Sequence, residues 1–249
     1  MTLKTKLLSL LLASLSMSTW AAEGASNNDT INPLVLDKLI QMGDYLRSLK
    51  KFQVDAKFDH DVVLESGQKI KTLGKSQMKV DGKSRLYTLI DGDTQTREYF
   101  YNGKVLTQYS PPLKYYTTID APDNISDTLH QLEEYYGLQL PMEDLFLFGR
   151  DQSQLDSIKA TLYIGPSVVD GKVCDHLAFR QDGIDWQLWI ARSGNPLPCK
   201  LVITTTDDAS RPEYSVVYSW NLKPVFKAAN FTFTPAKGDA AIPLKKVSE

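Results

Sequence analysis

The sequence predicts an α+β protein that is mostly antiparallel β: an unclosed half-barrel of about eleven strands with helices covering its concave face. Three observations carry this expectation. Apolar and polar residues alternate at period two over much of the chain, as where Phe52, Val54, Ala56 and Phe58 interleave with Gln53, Asp55 and Lys57. Asx-Gly pairs punctuate the chain at Asp81-Gly82, Asp91-Gly92, Asn102-Gly103, Asp170-Gly171 and Asp182-Gly183, beside Ser66-Gly67 and Ser193-Gly194. Such pairs mark hairpins, because tight primed turns need positive φ at both central residues. Helical spacing is confined to one segment before the strands and one that divides them.

The chain opens with Lys4 and Lys6, an apolar run from Leu7 to Met17, and small residues reaching Ala22, the order of a secretory signal peptide. Cleavage after Ala21 puts Thr19 and Ala21 where the peptidase needs small side chains; a cut one residue later would put Trp20 there. As a membrane anchor the run is far short of the roughly 20 residues that cross a bilayer. No Cys follows it to make a lipobox. The expected organisation is a signal peptide at 1–21, a flexible leader at 22–32 and a single domain at 33–249, exported to the periplasm of a Gram-negative cell.

From Pro33, the residues Leu36, Leu39, Ile40, Gly43, Leu46 and Leu49 form an amphipathic stripe with Pro in the first turn. About six strands follow between 52 and 119. A helical insert at about 122–157 then interrupts them, with Ile125, Leu129, Leu132 and Tyr136 at helical spacing, Gly137 as a stop, and a second apolar turn at 145–148. Five or six further strands lie between 158 and 234, and an irregular tail closes the chain. About eleven strands at roughly 4.8 Å spacing make a sheet near 50 Å wide, which twist does not leave flat. Such a sheet curls around its helices.

Composition narrows the function. The chain has 28 Lys plus Arg against 30 Asp plus Glu. Loss of Lys4 and Lys6 with the signal peptide takes the formal charge from −2 to −4. No window has the basic density that displaces counterions from phosphates, so nucleic acid is not an expected partner. Later segments are not apolar enough to span a bilayer, so an integral membrane protein is not expected either.

Chemistry-bearing motifs are sparse. His60, His130 and His176 are the three histidines, and none pairs at metal-ligand spacing. The triplet Asp59-His60-Asp61 alternates faces in a strand, and a solvated surface accounts for it. G-x-S-x-G, Walker and G-x-G-x-x-G motifs are lacking. Asp182, Asp185 and Arg180 share one hairpin, where carboxylates are ordinarily turn formers rather than an acid-base pair. No enzyme, cofactor or metal is expected.

Cys174 and Cys199 are the two cysteines, and an oxidising compartment favours pairing them. In a simple meander they flank the same middle strand at about 9.6 Å, beyond the roughly 7 Å that a disulfide tolerates. A bridge therefore needs a bend or bulge near Cys199, which Pro196 and Pro198 are placed to supply; otherwise two buried thiols remain. In the neighbouring run Trp186, Leu188 and Ile190 share one face and Trp189 takes the other. A sheet packed on both sides explains this as well as a ligand wall does.

The stretches CDHLAFRQDGIDWQLWI at 174–190, PLP at 196–198, KLVIT at 200–204, DVVLESGQ at 61–68 and YFYNGK at 99–104 resemble an uncharacterised family of predicted periplasmic proteins, one of the domain-of-unknown-function families. The resemblance spans roughly 34–235. That family is grouped by fold with the LolA-like and LolB-like lipoprotein carriers and the periplasmic sensor RseB, whose domain is an unclosed β-barrel covered by helices. The resemblance thus implies a LolA-like half-barrel with an apolar cavity that shelters acyl chains. None of the carriers' functional residues is carried over to this chain. Its greater length than a carrier domain leaves room for a different lid, for which 145–148 is the candidate.

The expected function is binding or carriage of an apolar ligand, whether an acyl chain, a lipid or a lipoprotein, in the concave face. The candidate lining residues are Phe58, Leu89, Tyr99, Tyr101, Leu145, Phe146, Phe148, Trp186 and Leu188. The alternative is an envelope sensor or protein-interaction module using the same cleft.

Overall fold

The computed structural model describes residues 30–138, 140, 145 and 155–247; the expected signal peptide, its cleavage after Ala21 and most of the leader lie outside them, as do Phe146 and Phe148. Helix α1 (Pro33–Ser48) starts where Asn32 Oδ1 accepts the Leu34 N–H at 3.0 Å and Pro33 takes the first helical position. Its buried stripe is Val35, Leu39, Met42, Gly43 and Leu46, a few tens of degrees around the helix from the expected one. Leu36 and Leu49 pack only at its margin. Both flanks of this helix are apolar, so the sheet's position rather than periodicity chose the centre of the stripe.

Six strands then form a meander: β1 (Lys51–Val63), β2 (Lys69–Asp81), β3 (Leu86–Gly92), β4 (Thr96–Tyr101), β5 (Val105–Ser110) and β6 (Tyr115–Asp120). Helix α2 (Ile125–Tyr136) follows, capped by Asn124, whose Oδ1 accepts the Asp127 N–H. It stops at Gly137, whose φ of 61° a side chain disfavours. A second meander runs through β7 (Ala160–Val169), β8 (Lys172–Gln181), β9 (Ile184–Ala191), β10 (Pro198–Thr205) and β11 (Glu213–Asn221). The expected primed-turn geometry holds in full only at Asp170-Gly171, with φ of 45° and 76°; at Asp81-Gly82, Asn102-Gly103 and Asp182-Gly183 only the glycine has positive φ, and at Asp91-Gly92 neither does, because that pair ends β3 rather than forming the turn.

The meanders join where β11 pairs antiparallel with β1, Trp220 opposite Val54. With a short strand β12 (Ala240–Ala241), the result is one sheet in the order β12-β6-β5-β4-β3-β2-β1-β11-β10-β9-β8-β7. Its two edges do not meet, so the barrel is unclosed. The described count is twelve, one above the expected eleven, because Ala240–Ala241 (β12) adds a short parallel strand to β6.

Register assigns the faces. Val54, Met78, Thr88, Tyr99 and Gln108 are successive cross-strand partners, as are Phe58, Val216, Leu201, Leu188, Leu177 and Tyr163 in the other half. The face they define is the inner one, where residues from α1, α2 and both meanders form a single buried apolar cluster. Val35, Met42, Val54, Met78, Tyr101, Leu132, Leu177 and Leu188 are wholly buried in it.

The second strand set ends at Asn221, short of the expected 234, and the chain beyond it packs back on the sheet. Outer-face rings of β4, β5 and β6 leave an apolar surface, and Phe233 lies on Phe100, Tyr109 and Tyr116 with centroids 5.6, 4.8 and 5.0 Å away. Phe231 is buried nearby against Phe226. The chain then turns the β6 edge and reaches α2, where the Val247 N–H donates to the Tyr135 carbonyl.

Cys174 and Cys199 form a disulfide with Cα atoms 7.0 Å apart. The pairing of β10 with β9 shifts register between Pro198 and Lys200, so Cys199 is the extra residue of a bulge. Cys174 lies opposite Ala191, the last residue of β9. The bridge therefore closes around the end of the middle strand.

Candidate functional site

Five of the expected lining residues share the inner face: Phe58, Tyr99, Tyr101, Trp186 and Leu188. Leu145 is also buried in that cluster. Leu89 is a correction. It pairs with Gln77 and Glu98 and faces outward, while its neighbours Thr88 and Ile90 face in. The run Leu86-Tyr87-Thr88-Leu89-Ile90 is bulky throughout, so alternation does not reveal its inner side; pairing of Leu86 with Val80 and Tyr101 does.

Packing differs along this face. Phe58 lies over Gly74, its β2 partner, and its ring stacks on Tyr214 at 6.3 Å. Trp186 stacks on Phe179 at 3.8 Å and donates Nε1–H to Gln181. Tyr101 is wholly buried and donates its hydroxyl to the Pro122 carbonyl at 2.5 Å, tying the entry of α2 to the sheet.

One row of this apolar face is polar. Thr88, Tyr99, Gln108 and Thr117 are successive partners across β3, β4, β5 and β6. Thr88 is fully buried and Tyr99 is 2% exposed. Burial pushes the Tyr99 hydroxyl pKa up, and a hydrogen bond from Arg97, on the same face of β4, offsets only part of that. Among the described residues, Thr88 Oγ1 and Gln108 Oε1 are buried side-chain atoms with no hydrogen-bond partner. Sequence reasoning selected Tyr99 and missed the other three. Alternation with Tyr99 and Tyr101 was available to place Arg97, but Thr88 and Gln108 become visible only through register.

A second polar group lies under α1. Asp175, 5% exposed, accepts from Lys38 Nζ at 2.7 Å and from the Tyr163 hydroxyl at 2.8 Å, with Arg192 at 3.6 Å. Burial raises the Asp175 pKa, but the Lys38 and Tyr163 hydrogen bonds and the charges of Lys38 and Arg192 outweigh it and hold the carboxyl below 3.8. The group pins α1 to β7 and β8.

The histidines are dispersed. His60 faces Thr72 within 2.9 Å, His130 sits beside Glu134, and His176 stacks on Trp189 at 3.9 Å and bonds Gln187. Asp59 and Asp61 face outward and pair with Lys71 and Lys69. Asp185 is held by Arg180 and Arg211. Among the described residues no three His, Cys, Asp or Glu side chains converge to hold a metal ion.

Two adjoining cavities of about 460 and 390 Å³ open on the outer face along Lys57, Lys75 and Asp91. Asp55, Gln77 and Asp170 also line the larger one and Phe58, Leu73 and Asp93 the smaller, so charged and apolar side chains share both linings.

The model of a family described as "Predicted periplasmic protein (DUF2092)" matches residues 37–245, from α1 into the tail. The chain belongs to the DUF2092 family. Its compartment is thereby the periplasm, and no helix among the described residues is long and apolar enough to cross a membrane. No curated protein matches this DUF2092 chain. Among solved structures it is similar to the lipoprotein LppX of Mycobacterium tuberculosis, at 13% identity over 78% of this chain and 98% of that one, with a TM-score of 0.41. It is similar to LprF of Mycobacterium bovis at 10% identity over 79% and 97%, with a TM-score of 0.45. It is also similar to the Pseudomonas aeruginosa MucA/MucB complex, at 15% identity over 80% of this chain and 63% of that one, with a TM-score of 0.38.

Proposed function

We propose that this protein is a non-enzymatic periplasmic binding protein that carries an acyl chain, free or attached to a lipid or lipoprotein, on the inner face of its half-barrel. The supporting observation is an unclosed sheet whose largely apolar inner face is covered by helices rather than by a second sheet. Because that face is packed where the helices meet it, a ligand must exchange with helix side chains. Helix α2 presents Ile125, Leu129 and Leu132 as its large buried residues, worth roughly 5–9 kcal/mol of burial. A dozen acyl methylenes contribute roughly 10 kcal/mol when buried. The two are comparable, so exchange leaves a small net affinity, which suits a carrier that must release its cargo.

Organic extraction of protein purified from the periplasm, followed by mass spectrometry, tests this. Acyl species in stoichiometric amount are expected. A protein that returns empty, and stays empty when offered fatty acid, rules the reading out.

A second reading has its own observation. Edge strand β7 exposes Leu162, Ile164 and Val168, the kind of border to which an extended segment of another envelope protein adds a strand. Pro166 and the register shift beside Gly165 blunt that border, which favours the carrier reading. Crosslinking in cells that traps one discrete protein and no lipid reverses the order.

A further inference from the structure

Burying a hydroxyl or an amide carbonyl without a partner costs free energy, and native interiors hold few such groups. Thr88 Oγ1 and Gln108 Oε1 are two, and register sets them on either side of Tyr99 in one row. Two strand spacings of about 4.8 Å separate the outer members, so the row is roughly 10 Å across. A valine and a leucine approximate these two side chains in volume without the orphan oxygens. The row adjoins Tyr101 and Leu106, whose cross-strand pair lies one step further along β4 and β5 toward α2.

We infer that the row Thr88–Tyr99–Gln108 is the anchoring subsite for a hydroxyl-rich lipid head group, of the glycerol or sugar kind, with the acyl chain lying on the adjoining apolar face. This rests on the carrier reading above and adds the chemistry of the ligand's polar end. Gln108 Oε1 accepts only, so the head must bring a hydrogen-bond donor, which a hydroxyl supplies. Thr88 Oγ1 donates and accepts, so a hydroxyl on the ligand satisfies it in either sense. A polyol supplies both at a spread that suits a row; an ester or a hydrocarbon end supplies no donor. Since neither orphan atom reaches solvent, the side chains packed over the row must shift before the head group docks.

The test compares the wild-type chain with Thr88→Val and Gln108→Leu, using monolauroylglycerol, dodecyl maltoside and methyl laurate as probes in calorimetric titrations, with melting temperatures measured ligand-free. The wild type is expected to prefer one or both hydroxylated probes over methyl laurate by about tenfold, the worth of about one well-made buried hydrogen bond. A stronger response to monolauroylglycerol assigns a glycerolipid, and one to dodecyl maltoside a glycolipid. Each variant should lose most of that preference and melt higher than the wild type because an unsatisfied group has gone. Equal wild-type affinity for all three probes, or a preference unchanged in both variants, overturns the subsite while leaving the carrier reading standing. Variants that melt lower show that a bound water already satisfies the row, and overturn it too. Binding of none of the probes overturns both proposals.

Discussion

Gly74 lies in the middle of β2 directly opposite Phe58, and the ring lies where its side chain would be: an added Cβ would stand 2.3 Å from Phe58 Cζ and 2.7 Å from Cε2. Two effects of Gly74→Ala oppose each other. Restricting the unfolded chain stabilises by roughly 0.4–1 kcal/mol, while forcing the ring off its site beside Tyr214 costs about 1–3 kcal/mol as overpacking. The clash is the larger, so Gly74→Ala should lower stability by about 1–2 kcal/mol, or about 2–8 °C for a domain of this size. Phe58→Ala alone should cost about 1–2 kcal/mol for a half-buried ring. In that background the clash has gone, and adding Gly74→Ala should then stabilise by about 0.5 kcal/mol. Urea unfolding of the four proteins measures this sign reversal, a coupling of roughly 2 kcal/mol. Additive effects, or a Gly74→Ala that destabilises equally with and without the ring, would refute the account of Phe58 as seated on a glycine gap.

Opening the Cys174–Cys199 bridge, whose cysteines are 25 residues apart, removes a loop constraint worth about 3.5 kcal/mol in the chain-entropy model. Cys174→Ala with Cys199→Ala should therefore melt about 7–14 °C lower by calorimetry, and added reductant should affect the wild type alone. For Asp175, the folded carboxyl titrates below its unfolded value of 3.8, so its stabilisation is present above that pH and is lost as pH falls through the folded value. With Lys38 and Arg192 partly exposed, the group is worth about 1–2 kcal/mol at neutral pH. Asp175→Asn should lose that amount near pH 7, and its stability should converge on the wild type's as pH falls through the folded carboxyl's lowered value in unfolding titrations.

Local pattern made most elements legible. The change of apolar period at Lys51, the Asx-Gly pairs and the stop at Gly137 mark where strands, turns and α2 lie, because period and turn chemistry act within a few residues. The need for a bulge at Cys199 was also legible, since strand spacing sets how far apart two flanking strands must be. The centre of the α1 stripe, the outward face of Leu89 and the docking of Phe231 and Phe233 were not.

The sequence by itself determined the element order, the hairpin positions and the apolar character of a sheet that must curl. Only the tertiary structure decided that β1 and β11 fuse two meanders into one open sheet, which side of β3 faces inward, and that Thr88, Tyr99 and Gln108 fall into one row. Those outcomes depend on register between segments distant in the chain. A slip of one residue sends every side chain of a strand to the other face, so local periodicity carries too little information to choose among the pairings.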